Sequence, residues 1–148
     1  MEAFTGKVWV LGDDIDTDII IPTEYLALKT IDDMKQYGFS PLRPELAGQI
    51  QKGDIIVAGK NFGCGSSREQ APEVIKALGI PCIIAKSFAR IFYRNALNNG
   101  LLLLEQPELH DVVKEGDTIT VTVNEDVDYN GKKYPIASLP ENLMEIIE

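Results

Sequence analysis

With 148 residues, of which 45% are hydrophobic and 25% charged, the chain has the size and composition of one globular domain, expected over residues 1–148. Its formal net charge of −9 at pH 7 argues against a nucleic-acid partner that is bound through its phosphates. It has only two cysteines and no apolar run of membrane-spanning length, so we expect a cytoplasmic protein without a membrane segment.

The N-terminal third predicts one strand, then an acidic loop, then irregular structure. Lys7–Leu11 is a short apolar run typical of a strand, and the acidic loop Asp13–Asp18 follows it. Residues 23–48 contain glycine and proline breakers and only weak helix signals, around Tyr25 and Asp32. This third is therefore expected to be the least regular part of the chain.

The middle of the chain alternates between buried strands and helices. Strands are predicted at Asp54–Ala58, Pro81–Ala85 and Leu101–Leu104. One helix is expected to end at Gly79, and a second to run from an N-cap at Ser87 to Gly100. This alternation with short connections predicts a parallel sheet joined by right-handed crossovers.

The C-terminal third changes to an antiparallel pattern. Thr118–Val123 alternates between polar and apolar residues, and Asn130-Gly131 lies between two short extended runs, which is a strong hairpin signal. Pro140 is expected to open a last helix that ends at Ile147. The predicted fold class is therefore α/β, a mostly parallel sheet flanked by helices, with an antiparallel β elaboration at its C-terminal end.

The acidic loop has the spacing of a calcium site but fails in detail. Asp14, Asp16 and Asp18 occupy the first three alternate ligand positions of a calcium loop. However, Ile19 stands where glycine must turn the chain, and Tyr25 stands where a bidentate glutamate is required. We therefore predict no metal in this loop. From the residues alone, a solvated turn is the interpretation that remains, because aspartate favours turns.

A second unusual segment, Asn61–Pro72, contains glycines, serines and an arginine. It matches neither a dinucleotide fingerprint, nor a P-loop, nor a hydrolase nucleophile elbow. One interpretation is structural, because Ser66 and Glu69 have the spacing of a helix capping box. The other is an anion site, formed by free N–H groups at a helix N-terminus and by the guanidinium of Arg68. Pro72 would interrupt a helix capped at Ser66, which favours the second interpretation.

The chemistry open to Ser66 depends on its partners. A serine nucleophile of the hydrolase kind needs a base, usually histidine. The sole histidine, His110, is expected on a solvent-exposed surface helix, so a Ser-His hydrolase is disfavoured. A Ser66 alkoxide that works as a general base remains open. Cys64 and Cys82 alone cannot hold zinc or an iron–sulfur cluster, so a partner would have to supply any metal.

Three segments resemble a known family. Gly63–Pro72 and Ala85–Asn95 resemble the swivelling β/β/α domain of the aconitase superfamily, and Asp16–Leu26 is similar to the start of the 3-isopropylmalate dehydratase small subunits. The segments occur in the family's order, and the resemblance covers nearly the whole chain. It implies a hydro-lyase subunit that interconverts 2-isopropylmalate and 3-isopropylmalate by dehydration and rehydration, in the leucine branch of branched-chain amino acid biosynthesis.

The resemblance also implies roles for individual residues. Ser66 matches the serine base that removes a proton beside a substrate carboxylate, and Ser67 and Arg68 match groups that bind this carboxylate. Asp18 matches an acidic residue of the active site. The family's [4Fe–4S] cluster belongs to a large subunit, which is the implied partner. The implied substrate is a small di- or tricarboxylic acid.

Two positions depart from the relatives. Lys29 stands near the place where aconitase binds a third carboxylate with arginine, and we keep it as a substrate-binding candidate. Gln70 stands where many relatives have histidine. The apolar stretch Tyr25–Leu28 favours an alkyl group and hence 3-isopropylmalate, with dimethylmalate, methylmalate and homoaconitate as alternatives. A non-catalytic anion-binding module is the alternative from another class, whereas RNA binding, suggested only by the superfamily, is opposed by the negative charge.

Overall fold

The computed structural model describes residues 3–65, 69–122 and 125–136. Within them, seven strands form one sheet: β1 (Ala3–Val10), β2 (Ile55–Ala58), β3 (Cys82–Ala85), β4 (Leu102–Glu105), β5 (Thr118–Thr122), β6 (Asp126–Tyr129) and β7 (Lys132–Pro135). Their order across the sheet is β4-β3-β2-β1-β5-β6-β7. Each strand predicted from the sequence is present, with bounds that shift by at most four residues.

The sheet has a parallel half and an antiparallel half. Strands β1 to β4 pair in parallel, with Val8 opposite Ile55 in the register of β1 and β2. Strands β5, β6 and β7 form an antiparallel meander that joins the sheet along β1. Asn130 (φ 53°) and Gly131 (φ 82°) are the two left-handed residues of a type I′ turn, which confirms the predicted hairpin.

In the described part of the chain, six short α-helices surround the parallel strands: α1 (Thr17–Ile20), α2 (Ile31–Lys35), α3 (Leu46–Gln49), α4 (Gln70–Ala77), α5 (Arg90–Asn98) and α6 (Leu109–Val112). A 3₁₀ helix, Thr23–Ala27, lies between α1 and α2. Because the chain adds parallel strands in one direction, right-handed crossovers bring α4 and α5 to the same face of the sheet. None of the helices that the structure describes is long and apolar enough to cross a membrane.

A hydrophobic core lies on each face of the sheet. Neighbouring residues of a strand point to opposite faces, so Ile56 and Ile83 belong to the core beneath α4 and α5. Ile55 and Ile84 belong to the other core, together with Leu109 of α6 and apolar residues of the antiparallel strands. The parallel strands are therefore covered on both sides, which explains their almost uninterrupted apolar sequences.

The helix starts differ from the predicted ones. Helix α5 begins at Arg90, and the predicted N-cap at Ser87 is wrong, because its hydroxyl accepts a hydrogen bond from the backbone N–H of Asn61 instead. Helix α4 begins at Gln70, so Pro72 lies in its first turn, where the N–H groups have no partner within the helix. Pro72 therefore does not interrupt this helix. The predicted helix Pro140–Ile147 lies outside the described residues.

Candidate active site

The unusual segments of the sequence meet at one edge of the sheet. Residues 11–16, which contain Asp13, Asp14 and Asp16 of the acidic loop, follow β1, and the glycine-rich loop, residues 59–65, follows β2. A third loop, residues 86–89, follows β3. All three lie at the carboxyl ends of parallel strands, which is where open α/β sheets bind their ligands.

The acidic and glycine-rich loops remain paired after their strands end. Four backbone hydrogen bonds join them: Gly59 N to Gly12 O (3.1 Å), Asp14 N to Lys60 O (2.8 Å), Gly63 N to Ile15 O (2.7 Å) and Thr17 N to Cys64 O (2.9 Å). The last of these bonds lies two residues before Ser66 and at the first residue of α1. The pairing therefore extends the β1–β2 register up to the segment that contains the predicted serine base.

The third loop holds the glycine-rich loop from its other side. Lys86 N donates to Gly59 O (3.0 Å), and Phe62 N donates to Ser87 O (3.1 Å). Ala89 N in turn donates to Phe62 O (2.9 Å), so both the N–H and the carbonyl of Phe62 are hydrogen-bonded to the third loop. The glycine-rich loop is thus the middle of three connected loops, as β2 is the strand between β1 and β3.

Two glycines of this loop are required by its geometry. Gly63 has a left-handed φ of 85°, and a Cβ at this position would overlap the ring of Phe92 on α5. Gly65 has a φ of 91°, and a Cβ there would lie 3.4 Å from Cβ of Asp16. Other residues adopt this backbone conformation only with strain. The glycines therefore allow the loop to turn tightly between α5 and the acidic loop.

The candidate substrate-binding and catalytic residues fall into two groups. Ser66, Ser67 and Arg68 lie outside the described residues, between Gly65 and the start of α4. Asp18 is exposed in the first turn of α1, and its carboxylate accepts a hydrogen bond from the Thr23 hydroxyl (3.4 Å). The Thr17–Cys64 bond places α1 against the loop that leads to Ser66. The structure thus brings Asp18 to the edge of the sheet at which the glycine-rich loop reaches Gly65.

Lys29 lies farther along the chain, between the 3₁₀ helix and α2, and it is exposed. No hydrogen bond or ion pair within the described ranges connects it to the glycine-rich loop. Tyr25, Leu26 and Leu28 of the apolar stretch are half-buried and pack against the core beneath α4 and α5. The Tyr25 ring also stacks on Tyr37, with centroids 4.0 Å apart.

The aspartates of the acidic loop hold backbone and amide groups. The Asp13 carboxylate accepts from the N–H of Lys60 (2.7 Å), and that of Asp14 accepts from the side-chain amide of Asn61 (3.2 Å). The Asp16 carboxylate caps α1 by accepting from Ile19 N (2.9 Å). The carboxylates of this exposed turn therefore also connect it to the glycine-rich loop and to α1.

The cysteines do not fit a metal cluster. Burial raises the pKa of the Cys64 thiol, and the nearby carboxylates of Asp16 and Asp14 raise it further. Cys82 is fully buried in β3, and burial raises its pKa as well. Both side chains therefore favour the neutral thiol, whereas metals bind the thiolate. Among residues 3–65, 69–122 and 125–136, no group of three or more His, Cys, Asp or Glu side chains is arranged to hold a metal ion.

His110 differs from its prediction. It is half-buried on α6, and its Nε2 lies 2.8 Å from the backbone oxygen of Leu11 at the end of β1. Lys86, which follows β3, forms an ion pair of 2.7 Å with the neighbouring Asp111. The expectation of a solvent-exposed histidine is therefore wrong. Helix α6 contacts the loops after β1 and β3 through these two residues.

Known proteins match this chain along nearly its whole length. Residues 18–109 match the aconitase C-terminal domain. The chain is 78% identical over 146 residues to the 3-isopropylmalate dehydratase small subunit of Lachnospira eligens, and the alignment covers 99% of this chain and 89% of the relative. It is 51% identical to small subunit 1 of the same enzyme from Archaeoglobus fulgidus, over 97% of this chain and 90% of the relative.

A solved structure also shows this fold. The crystal structure of 3-isopropylmalate dehydratase from Methanocaldococcus jannaschii matches the chain with a TM-score of 0.92 at 38% sequence identity. The match covers 99% of this chain and 88% of the solved one. The predicted fold class, a parallel core with C-terminal antiparallel strands, is confirmed.

We predict that Cys64 reacts with iodoacetamide only at high pH. Its raised pKa means that less thiolate is present at a given pH than in a free cysteine, whose pKa is about 8.5. The rate of alkylation, measured by mass spectrometry between pH 7 and pH 10, should therefore rise with a midpoint above that value. Cys64→Ser should abolish the reaction of the native chain, because Cys82 is buried. A midpoint at or below the free-cysteine value would contradict the prediction.

Proposed function

Because the chain belongs to the family of 3-isopropylmalate dehydratase small subunits, we propose that it forms one half of a hydro-lyase that interconverts 2-isopropylmalate and 3-isopropylmalate in leucine biosynthesis. The observation that carries this proposal is the connection of three loops at the carboxyl edge of the parallel strands. It holds the residues that lead to Ser66, as far as Cys64, at the edge where such a sheet binds ligands.

The three residues that follow the glycine-rich loop match the chemistry of proton removal beside a carboxylate. When the carbon next to a carboxylate loses its proton, negative charge develops on the carboxylate oxygens. The forked guanidinium of Arg68 and the hydroxyl of Ser67 would stabilise that charge, and stabilisation of developing charge lowers the barrier. Ser66 is the proposed base that takes the proton.

Asp18 is the proposed acidic residue of the same site. It lies in the first turn of α1, whose first residue is bonded to Cys64 of the glycine-rich loop. Its side chain is exposed at this edge of the sheet and already accepts a hydrogen bond from Thr23. We propose that Asp18 contacts the bound acid or the base directly from α1.

The proposed partner is a large subunit that carries a [4Fe–4S] cluster. The two cysteines of this chain, Cys64 and Cys82, do not fit such a cluster, and both are free thiols, in keeping with a reducing compartment such as the cytoplasm. A cluster iron of the large subunit would act as a Lewis acid on the substrate hydroxyl. The role left to this chain is to bind the carboxylate and to move the proton.

The proposed substrate has an alkyl group at its variable end. Tyr25, Leu26 and Leu28 form a half-buried apolar surface on the segment that follows α1. Lys29 adjoins this surface as a substrate-binding candidate, and its methylene stem can line an apolar group while its ammonium remains in water. This arrangement supports 3-isopropylmalate over an acid with a third carboxylate.

We predict that the purified chain alone contains no iron–sulfur cluster and catalyses no hydration of the isopropylmaleate intermediate. Both properties should appear when it is combined with the large subunit, since the two cysteines of this chain are too few to hold a cluster. Iron analysis and the hydration assay would be performed on each subunit alone and on the mixture. Stoichiometric iron and sulfide in this chain alone would contradict the assignment.

We predict that Ser66→Ala in the reconstituted enzyme lowers kcat by roughly 10²–10⁴-fold, the contribution typical of a general base. Ser67→Ala is the matched comparison, and because Ser67 binds the carboxylate, this change should mainly raise KM. Co-elution with the large subunit on size exclusion shows whether each variant still assembles. A Ser66→Ala enzyme with near wild-type kcat at saturating substrate would show that another group is the base.

We predict that kcat/KM is higher for 3-isopropylmalate than for homocitrate. Each methylene that fits an apolar pocket contributes roughly 1–3 kcal/mol, so 2,3-dimethylmalate should be processed at an intermediate rate. The three acids would be compared on one preparation of the reconstituted enzyme. A preference for homocitrate would mean that Lys29 binds a carboxylate, and the apolar account of this segment would be wrong.

A further inference from the structure

Two neighbouring residues of the site adopt a left-handed backbone conformation although neither is a glycine. Asp14 in the acidic loop has a φ of 54°, and Asn61 in the glycine-rich loop has a φ of 61°. Aspartate and asparagine are the residues that accept this conformation most readily after glycine. Their side chains are bonded to each other, with the Asn61 amide nitrogen 3.2 Å from the Asp14 carboxylate.

The position of Asp14 and Asn61 in the paired loops explains why both adopt the left-handed backbone conformation. Before it, Gly59 N bonds to Gly12 O, and after it, Gly63 N bonds to Ile15 O. The two loops therefore stay in parallel register on both sides of the turn. Two chains that bend together must bend at matching positions, and Asp14 and Asn61 are these positions. The bond between their side chains joins the two bends.

Asn61 also contacts the third loop. Its backbone N–H donates to the Ser87 hydroxyl at 2.8 Å. Its amide orientation is settled by chemistry, because the Asp14 carboxylate can only accept and must therefore face the NH₂ group. Asn61 thus connects the loops after β1 and β3 to the glycine-rich loop, five residues before Ser66.

We propose that Asn61 and Asp14 form a positioning pair that sets where the glycine-rich loop presents Ser66 to the substrate. This inference rests on the proposed function of Ser66 as the base. Neither residue takes part in the reaction itself. Their effect is to hold the bend from which the loop continues through Gly63 and Gly65 to the serines.

A displaced loop should affect proton transfer more than substrate binding. A serine side chain is short, so its oxygen moves with the backbone, and a misplacement of about 1 Å can lower a rate 10²-fold. The side chain of Arg68 is long and can follow a substrate carboxylate over a small distance. A defect in the positioning pair should therefore lower kcat while KM changes much less.

Reciprocal exchange of the two side chains tests the pair in the reconstituted enzyme. Asn61→Asp places a second carboxylate against Asp14, with Asp13 and Asp16 already nearby, and should lower kcat roughly 10–100-fold through the displaced loop. The double variant Asp14→Asn, Asn61→Asp restores one amide and one carboxylate, both tolerant of left-handed backbone. It should recover kcat to within about 3-fold of wild type, as a restored interaction between coupled sites does.

Two further variants separate the side chain from the backbone. Asn61→Gly keeps the left-handed conformation but removes the amide, and it should lower kcat with little change in the temperature of unfolding. Asn130→Asp is the matched control, since Asn130 has the same left-handed conformation in the β6–β7 hairpin, outside the three site loops. It should leave kcat and KM unchanged.

The outcomes are distinct. A low kcat for Asn61→Asp with recovery in the exchange variant supports the pair. If Asn61→Asp fails to fold, a low kcat of the folded Asn61→Gly variant supports it instead. Wild-type kcat in both Asn61→Asp and Asn61→Gly, or an exchange variant as impaired as the single one, overturns it. Ser66→Ala measured alongside separates this result from the proposed function. If Ser66→Ala is inactive and the Asn61 variants are normal, only the positioning pair is wrong.

Discussion

The pairing between β1 and β2 does not stop where these strands end, and the site depends on this continuation. Backbone hydrogen bonds carry the parallel register from Gly12 and Gly59 as far as Thr17 and Cys64. A loop that extends freely from a sheet would sample many conformations, and ordering it would cost conformational entropy during the reaction. Here that ordering is already achieved by the fold, up to two residues before Ser66.

The rest of the architecture supports this pairing. Apolar residues on both faces of β1 to β4 hold the strands in register, because a shift by one residue would turn every core side chain to the wrong face. Helix α5 limits the loop from one side through Phe92, which leaves no room for a side chain at Gly63. Helix α6 contacts the loops after β1 and β3 through His110 and Asp111. The acidic loop supports the pairing as well, because its carboxylates accept hydrogen bonds from amide groups of the glycine-rich loop.

Much of the fold was predictable because its signals are local. Apolar runs marked the strands, Gly79 and Gly100 marked helix ends, and Asn130-Gly131 marked the hairpin. Two of the errors concern contacts between residues distant in the sequence: Ser87 bonds to Asn61, 26 positions away, and His110 to Leu11, 99 positions away. No local pattern contains such contacts. The roles of Ser66 and Asp18 came from the family resemblance, since the residues alone left both a capping box and an anion site open.

The crystal structure of the reconstituted two-subunit enzyme with bound 3-isopropylmalate tests the central claim most directly. We expect the substrate to lie at the carboxyl edge of β1 to β3, with one carboxylate on Ser67 and Arg68. The Ser66 oxygen should lie about 3–3.5 Å from the carbon that loses its proton, the separation of reacting atoms in a productive complex. A structure in which another side chain faces that carbon, with Ser66 turned away from the substrate, would contradict it.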